Sequence, residues 1–240
     1  MSENKFELET NTVWSFDKRG KWATHDAKYR GNFSPYVPKN IILRYSKPGD
    51  TVLDQFVGGG TTLIECKLNE RNAIGVDINR AAVELTTEKL GFLVEREPRI
   101  QVFRGDAVRL DMIADDSVDL ICTHPPYADI IRYSQDIEGD LSLLPMEEFL
   151  IKIEDVAREC RRVLKGGKFC AVTIGDTRKN GMVRPLGFEV MQRFVRAGFL
   201  LKEIIIKEQH NCKATGFWKS GSQRYNFLLL AHEYIFVFKK

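Results

Sequence analysis

The chain has 240 residues, 43% of them hydrophobic and 29% charged, enough to bury one substantial core, and residues 1–240 are read as a single domain. No run of about eighteen apolar residues occurs and the N-terminus is polar and acidic, so neither a membrane span nor a secretory signal is marked. The five cysteines (Cys66, Cys122, Cys160, Cys170, Cys212) are widely spaced without a Cys-x-x-Cys pair, which speaks against a disulfide framework or a metal site and fits a reducing, cytoplasmic setting.

The net charge of +3 conceals an asymmetry: residues 51–150 carry nine basic and nineteen acidic side chains, residues 151–240 eighteen and eight. A basic region can hold a polyanion through phosphate contacts, whereas an acidic one repels it. The first forty or so residues resist assignment. From Thr51 onward, strands are expected at Thr51–Phe56, Asn72–Asp77, Ile100–Phe103, Val118–Cys122, Lys168–Ile174, Leu200–Lys207 and Glu233–Phe238, where β-branched and apolar residues form short runs. Helices are expected at Thr61–Leu68, Arg80–Leu93, Met146–Val163 and Leu186–Ala197, where apolar residues recur every three or four positions. Lys165-Gly166-Gly167 and Ala197-Gly198 read as helix stops. This alternation specifies an α/β protein with a doubly wound, mainly parallel seven-stranded sheet, its last two strands pairing as an antiparallel edge hairpin. Gln209–Tyr225 mixes basic, aromatic and amide side chains and reads as a long irregular loop, either functional or disordered.

Two constellations carry chemistry. The first is Asp54-Gln55-Phe56-Val57-Gly58-Gly59-Gly60-Thr61-Thr62, a strand, a glycine turn and a helix start. Glycines without Cβ let a ligand lie against the backbone, and Thr61 or Thr62 is placed to cap the helix. The phosphate-binding patterns are not matched, so the turn alone does not name a ligand. Asp77 closes the next strand, at the position where a carboxylate meets ribose hydroxyls in doubly wound folds. Asp106 follows the third strand and is equally a turn residue or a ligand contact. The second constellation is His124-Pro125-Pro126-Tyr127 after the fourth strand. Two prolines stiffen this segment and remove two donors, leaving an acceptor-lined edge beside an aromatic ring, which suits a planar base bearing an amino group; equally, the prolines only end the strand and Tyr127 packs on the core.

Together, Asp54–Thr62, Gly75-Val76-Asp77 and Thr123-His124-Pro125-Pro126-Tyr127 resemble the amino-group DNA methyltransferases of cytosine-N4 and adenine-N6 type, over roughly residues 32–238. The resemblance implies a Rossmann-like methyltransferase fold and S-adenosylmethionine as cofactor, held by Pro38, Asp54, Phe56, Gly58, Gly60, Thr61, Thr62, Asp77 and Asp106. Residues 1–50 would close over the cofactor, with Asn32–Lys39 meeting its methionine end, residues 51–127 would bind it, and residues 128–240 would bind the target. It also implies a flipped base stacked on Tyr127, with the Pro125 carbonyl and the side chain at 124 accepting hydrogen bonds from the amino group, beside Pro126. No covalent intermediate is required, and orientation with electrostatics carries the rate.

Gln55 replaces the family's usual proline, and His124 replaces its Asp, Asn or Ser. A histidine accepts only through the bare nitrogen of its neutral form, so activity is expected to fall as pH drops through roughly 6.5. Another reading is a relative that keeps the fold but transfers no methyl group. DNA is the expected partner from the basic C-terminal part, with RNA and protein amides left open; Thr123 tilts the base toward cytosine. No long recognition segment is present, so reading of the target falls to Ala128–Leu144, Gln209–Tyr225 or a separate subunit. Arg132, Lys213, Trp218, Lys219 and Arg224 are the candidate contacts. No residue pattern signals a homodimer.

Overall fold

The computed structural model describes residues 6–210 and 213–240, with backbone alone at 129 and 213–217; Cys212 and the Lys213 side chain therefore lie outside the described residues. In chain order the elements are β1 (Val13–Trp14), α1 (Tyr36–Tyr45), β2 (Thr51–Asp54), α2 (Thr61–Leu68), β3 (Asn72–Asp77), α3 (Arg80–Lys89), β4 (Ile100–Arg104) and β5 (Val118–Thr123). There follow α4 (Met146–Val163), β6 (Leu164–Ile174), β7 (Thr177–Lys179), β8 (Met182–Arg184), α5 (Leu186–Arg196), β9 (Leu200–Glu208), α6 (Lys213–Arg224) and β10 (His232–Lys239).

The main sheet runs β1-β9-β10-β6-β5-β2-β3-β4. Its central strands are parallel and β10 is antiparallel to both β6 and β9. The expected seven strands are all present, and an eighth, β1, pairs parallel with β9 at Val13↔Ile206 and Trp14↔Lys207. β2 lies between β3 and β5, so the chain departs to opposite sides from this point. That switch opens a crevice at the carboxyl ends of β2 and β5, where open α/β sheets bind ligands.

Side-chain alternation splits the core between the two faces. Tyr234, Phe236 and Phe238 of β10 pack with Phe149, Ile153, Val190 and Phe194 of α4 and α5. Ile235 and Val237 point the other way, toward Trp14, Ile41, Ile42 and Leu63, as the two-residue period of a strand requires. Every residue of β5 is buried, which fits a central parallel strand covered on both faces.

Several local expectations change. The long helix has its expected bounds, but Lys165-Gly166-Gly167 is not its stop: these residues lie inside β6, where the Gly167 N–H donates to the Lys240 carbonyl. α3 ends at Lys89, four residues short of the expected Leu93. Gly60, not a threonine, caps α2, and no side chain caps that end. Residues 36–45, unassigned from sequence, form α1: Pro38 falls in its first turn, where the backbone N–H has no helical partner and proline costs nothing. The expected Gln209–Tyr225 loop contains α6.

Candidate active site

β2 delivers Asp54 to the sheet's carboxyl edge, and the chain then turns through Gln55–Gly60 into α2. Gly60 has φ of +79°, a left-handed conformation that favours glycine. Gly59 is constrained from outside instead: a Cβ there would come within 2.6 Å of the Asn32 side chain and 2.9 Å of Tyr29 Cβ. The N-terminal segment thus lies directly on the turn. It is fastened there by Arg19, which donates to the Asn32 and Phe33 carbonyls, and by Trp22 and His25, which both meet buried Glu65 of α2 at 2.6 and 2.7 Å.

Asp54 is buried and ties the two loops together. It accepts from the hydroxyls of Thr62 (2.6 Å) and Thr123 (2.8 Å) and from the Phe56 N–H. The glycine turn and the His-Pro-Pro-Tyr segment therefore leave the sheet at the same rim, locked through one carboxylate. Burial pushes the Asp54 carboxyl up to about 6 against its hydrogen bonds. A folded value above the ordinary 3.8 gives stability that is fully present below 3.8 and lost as pH rises through about 6. At about 1.36 kcal/mol per unit this is on the order of 3 kcal/mol. Asp54→Asn is accordingly expected to raise Tm more at pH 8 than at pH 5; an equal change at both would show that the carboxylate is not the destabilised group.

A cleft runs along this rim, at the carboxyl edge where open α/β sheets bind ligands. Asp54, Phe56, Gly58, Thr61, Asp77, Asp106, His124 and Pro126 line it. Asp77 Oδ2 accepts from the Gly58 N–H and Oδ1 from the Asn79 N–H, both at 2.9 Å. Each oxygen keeps a lone pair for a further donor, such as a pair of ribose hydroxyls. Burial raises this carboxyl despite those bonds. Asp106 is a turn residue, its Oδ1 accepting from the Val108 N–H, and it also lines the cleft. Carboxylates at one wall and Phe33, Phe56, Ile78 and Leu141 around them fit a ligand with a ribose and a flat, partly apolar base.

Other candidates stand elsewhere. Gly60, Thr62, Pro125 and Tyr127 are not among the residues that line the cleft, and Pro38 is buried in α1, outside the lining. Tyr127 donates its hydroxyl to Glu233 Oε1 (2.9 Å), and the His124 Nε2 lies 3.1 Å from the Tyr127 hydroxyl oxygen. Arg132, Lys219 and Arg224 are exposed, and Trp218 is 47% exposed. Part of the 128–144 segment, one of the alternatives expected to read the target, lines the cleft: Tyr133 stacks on Tyr29 at 6.0 Å, and Gly139, Asp140 and Leu141 join the lining.

Sequence reasoning singled out none of Tyr29, Tyr133, Glu233 and Lys207, whose partners are distant in the chain, and included Phe33 only within the Asn32–Lys39 segment. It also missed the β7–β8 hairpin, although Asn180-Gly181, both at positive φ, is a strong two-residue turn signal. The hairpin starts two residues after Gly175, whose Cβ would meet the Tyr127 ring at 3.3 Å. Arg178 binds it to the segment after α6, donating to the Leu228 carbonyl and lying 5.4 Å over the Phe227 ring. No acidic residue occurs in 177–188 or 209–231, while Arg178, Lys179, Arg184, Lys213, Lys219 and Arg224 all do.

Burial holds the His124 imidazole below its ordinary 6.5, with Glu233 and Lys207 opposing each other beside it. The acid limb expected at 6.5 is thereby displaced downward.

Known proteins agree with this arrangement. The DNA methylase family matches residues 2–88 and 118–240. The chain is 34% identical over 143 residues to the tRNA (guanine(10)-N2)-dimethyltransferase of Methanothermobacter thermautotrophicus, covering 59% of this chain and 38% of that protein. It is 29% identical over 167 residues to Type II methyltransferase M.MjaI of Methanocaldococcus jannaschii, covering 58% and 55%. It thus spans between about two fifths and just over half the length of these curated relatives. In fold it is similar to TrmN from Thermus thermophilus, with a TM-score of 0.61 at 20% identity, covering 88% of this chain and 50% of that one. A SAM-dependent methyltransferase from Methanosarcina mazei gives 0.58 at 15%, covering 83% and 96%. With a matching model over most of its length and a methyltransferase sheet beneath its paired motifs, the chain belongs to the DNA methylase family of N6 and N4 amino-methyltransferases, which are S-adenosylmethionine-dependent.

Proposed function

We propose that this chain methylates an exocyclic amino group of a base in DNA, cytosine N4 in preference to adenine N6. The observation that carries this reading is the single cleft that joins the glycine turn to His124 and Pro126. S-adenosylmethionine, when bound, supplies a methyl group on a cationic sulfur. Asp77 is assigned to the ribose hydroxyls, Gly58 and Phe56 to the adjoining wall, and Asp106 to the far end of the cleft. The Pro125 carbonyl and His124 accept hydrogen bonds from the target amino group, and the Tyr127 ring stacks on the base. Those bonds aim the nitrogen lone pair into the cleft, so positioning supplies most of the rate.

The hairpin and the α6 region are assigned to the nucleic acid. Lys179 and the α6 cations offer phosphate contacts, and Met182, 73% exposed at the hairpin turn, offers an apolar wedge of the kind that enters opened base steps. Replacing Lys179 and Arg184 with alanine is expected to lower the salt slope of duplex binding by about two. An unchanged slope in filter binding across salt concentrations would remove this face from the interface.

A second reading, an amino group of guanine in tRNA, is favoured by the 34% identity to the tRNA dimethyltransferase. Incubation with labelled cofactor and duplex DNA, total tRNA or protein, followed by nucleoside analysis, separates the readings. N4-methylcytosine in DNA is the expected product; label in tRNA alone would transfer the function to RNA, label in protein alone to a protein amide, and label in none of the three would leave a binding protein.

A further inference from the structure

Glu233 of β10 and Lys207 of β9 are cross-strand partners, and their side chains meet at 3.1 Å inside the protein. Burial alone would push the Glu233 carboxyl up, but Lys207 beside it, together with the Tyr127 hydrogen bond, outweighs it and holds the group below its ordinary value. Glu233 is therefore a carboxylate and can only accept. The Tyr127 hydroxyl, 2.9 Å from Oε1, must spend its one proton on it. The phenol oxygen then has only lone pairs left for the His124 Nε2 at 3.1 Å, so that nitrogen must be the one that carries hydrogen. A neutral imidazole protonated at Nε2 has a bare Nδ1. Among the described residues, no hydrogen bond to His124 Nδ1 occurs, and His124 borders the cleft.

We propose that Lys207, Glu233 and Tyr127 form a relay of positioning residues that fixes the His124 tautomer, so that Nδ1 offers a lone pair to the target amino group. The role of that lone pair rests on the function proposed above, whereas the fixing of the tautomer does not. The relay answers the difficulty posed by histidine where relatives use an oxygen acceptor. With the opposite tautomer, position 124 would present an N–H to a target that is itself a donor, and the contact would turn repulsive.

The isosteric variant Glu233→Gln makes a sharp test. Lys207 can only donate, so it claims the new amide's Oε1 and turns the NH₂ toward Tyr127. The phenol then accepts from Gln and donates to His124 Nε2, which forces the proton onto Nδ1. Long-range ¹H–¹⁵N correlation of histidine-labelled protein reads the tautomer without substrate, and His124→Gln assigns its signal among those of His25, His210 and His232. The expected result is Nε2–H in the wild type and Nδ1–H in Glu233→Gln. In a Tyr127→Phe background, Glu233→Gln should no longer change the tautomer. Nδ1–H in the wild type, Nε2–H in Glu233→Gln, or a change that survives Tyr127→Phe would each overturn the relay. In turnover, Glu233→Gln should lower kcat by roughly 10²-fold with KM for S-adenosylmethionine unchanged. If the wild type methylates none of the polymers while the spectra behave as expected, the proposed function falls and the relay stands.

Discussion

Replacing His124 with alanine should reduce kcat for methyl transfer by roughly 10²–10³-fold while changing the Kd for S-adenosylmethionine by less than about threefold. The asymmetry follows from position. His124 borders the end of the cleft with Phe33, whose ring lies 5.2 Å away, whereas the carboxylates assigned to the cofactor stand on β3 and the loop after β4. An acceptor aimed at the target acts mainly in the transition state, so its loss appears in kcat. Single-turnover rates should also fall with acid at a midpoint below 6.5, because burial disfavours the imidazolium and only the neutral ring can accept. Methylation rates of the wild type from pH 5 to 8 provide the check. A midpoint at or above 6.5, or a variant with near-normal kcat, would remove His124 from the acceptor role.

Asp77→Ala should instead act on binding, weakening S-adenosylmethionine by about 10²-fold or more with a smaller change in single-turnover rate at saturation. Charge-assisted hydrogen bonds contribute about 1.5–3 kcal/mol each, and this carboxylate is assigned two of them to ligand. It also accepts the Gly58 and Asn79 N–H groups, so alanine leaves the turn itself less well held. Asp77→Asn separates the effects: its oxygen can keep one backbone bond while the charge is lost. Calorimetric titration of both variants is decisive, and a Kd within threefold of wild type for Asp77→Ala would place the ribose elsewhere.

Much of this architecture is legible without coordinates because its strongest signals are local. The central strands are apolar runs flanked by punctuation, and β3 matches its expected ends at Asn72 and Asp77. The glycine turn and the double proline mark their loops by residue type. What eluded sequence reasoning depends on weak or distant signals. β1 is two residues long, too short for any periodicity, and α1 carries two prolines at its start that read as irregular backbone until Pro38 is placed in a first turn. α6 contains Gly216 and Gly221, whose low helix propensity argues for a loop. Glu233 stands 106 residues from Tyr127, and no local pattern announces that a strand at the far end of the chain will orient a catalytic motif. His124 was conspicuous as a departure, but its compensation could be found only in space.

The strap formed by residues 19–33 has a kinetic meaning. Tyr29 and Asn32 press on the glycine bend, Tyr29 stacks against Tyr133, and Trp22 and His25 are moored to Glu65. Under the function proposed above, exchange of the spent donor is expected to require this cover to lift. The pace of exchange would then depend on moorings on α2, well away from the atoms that react.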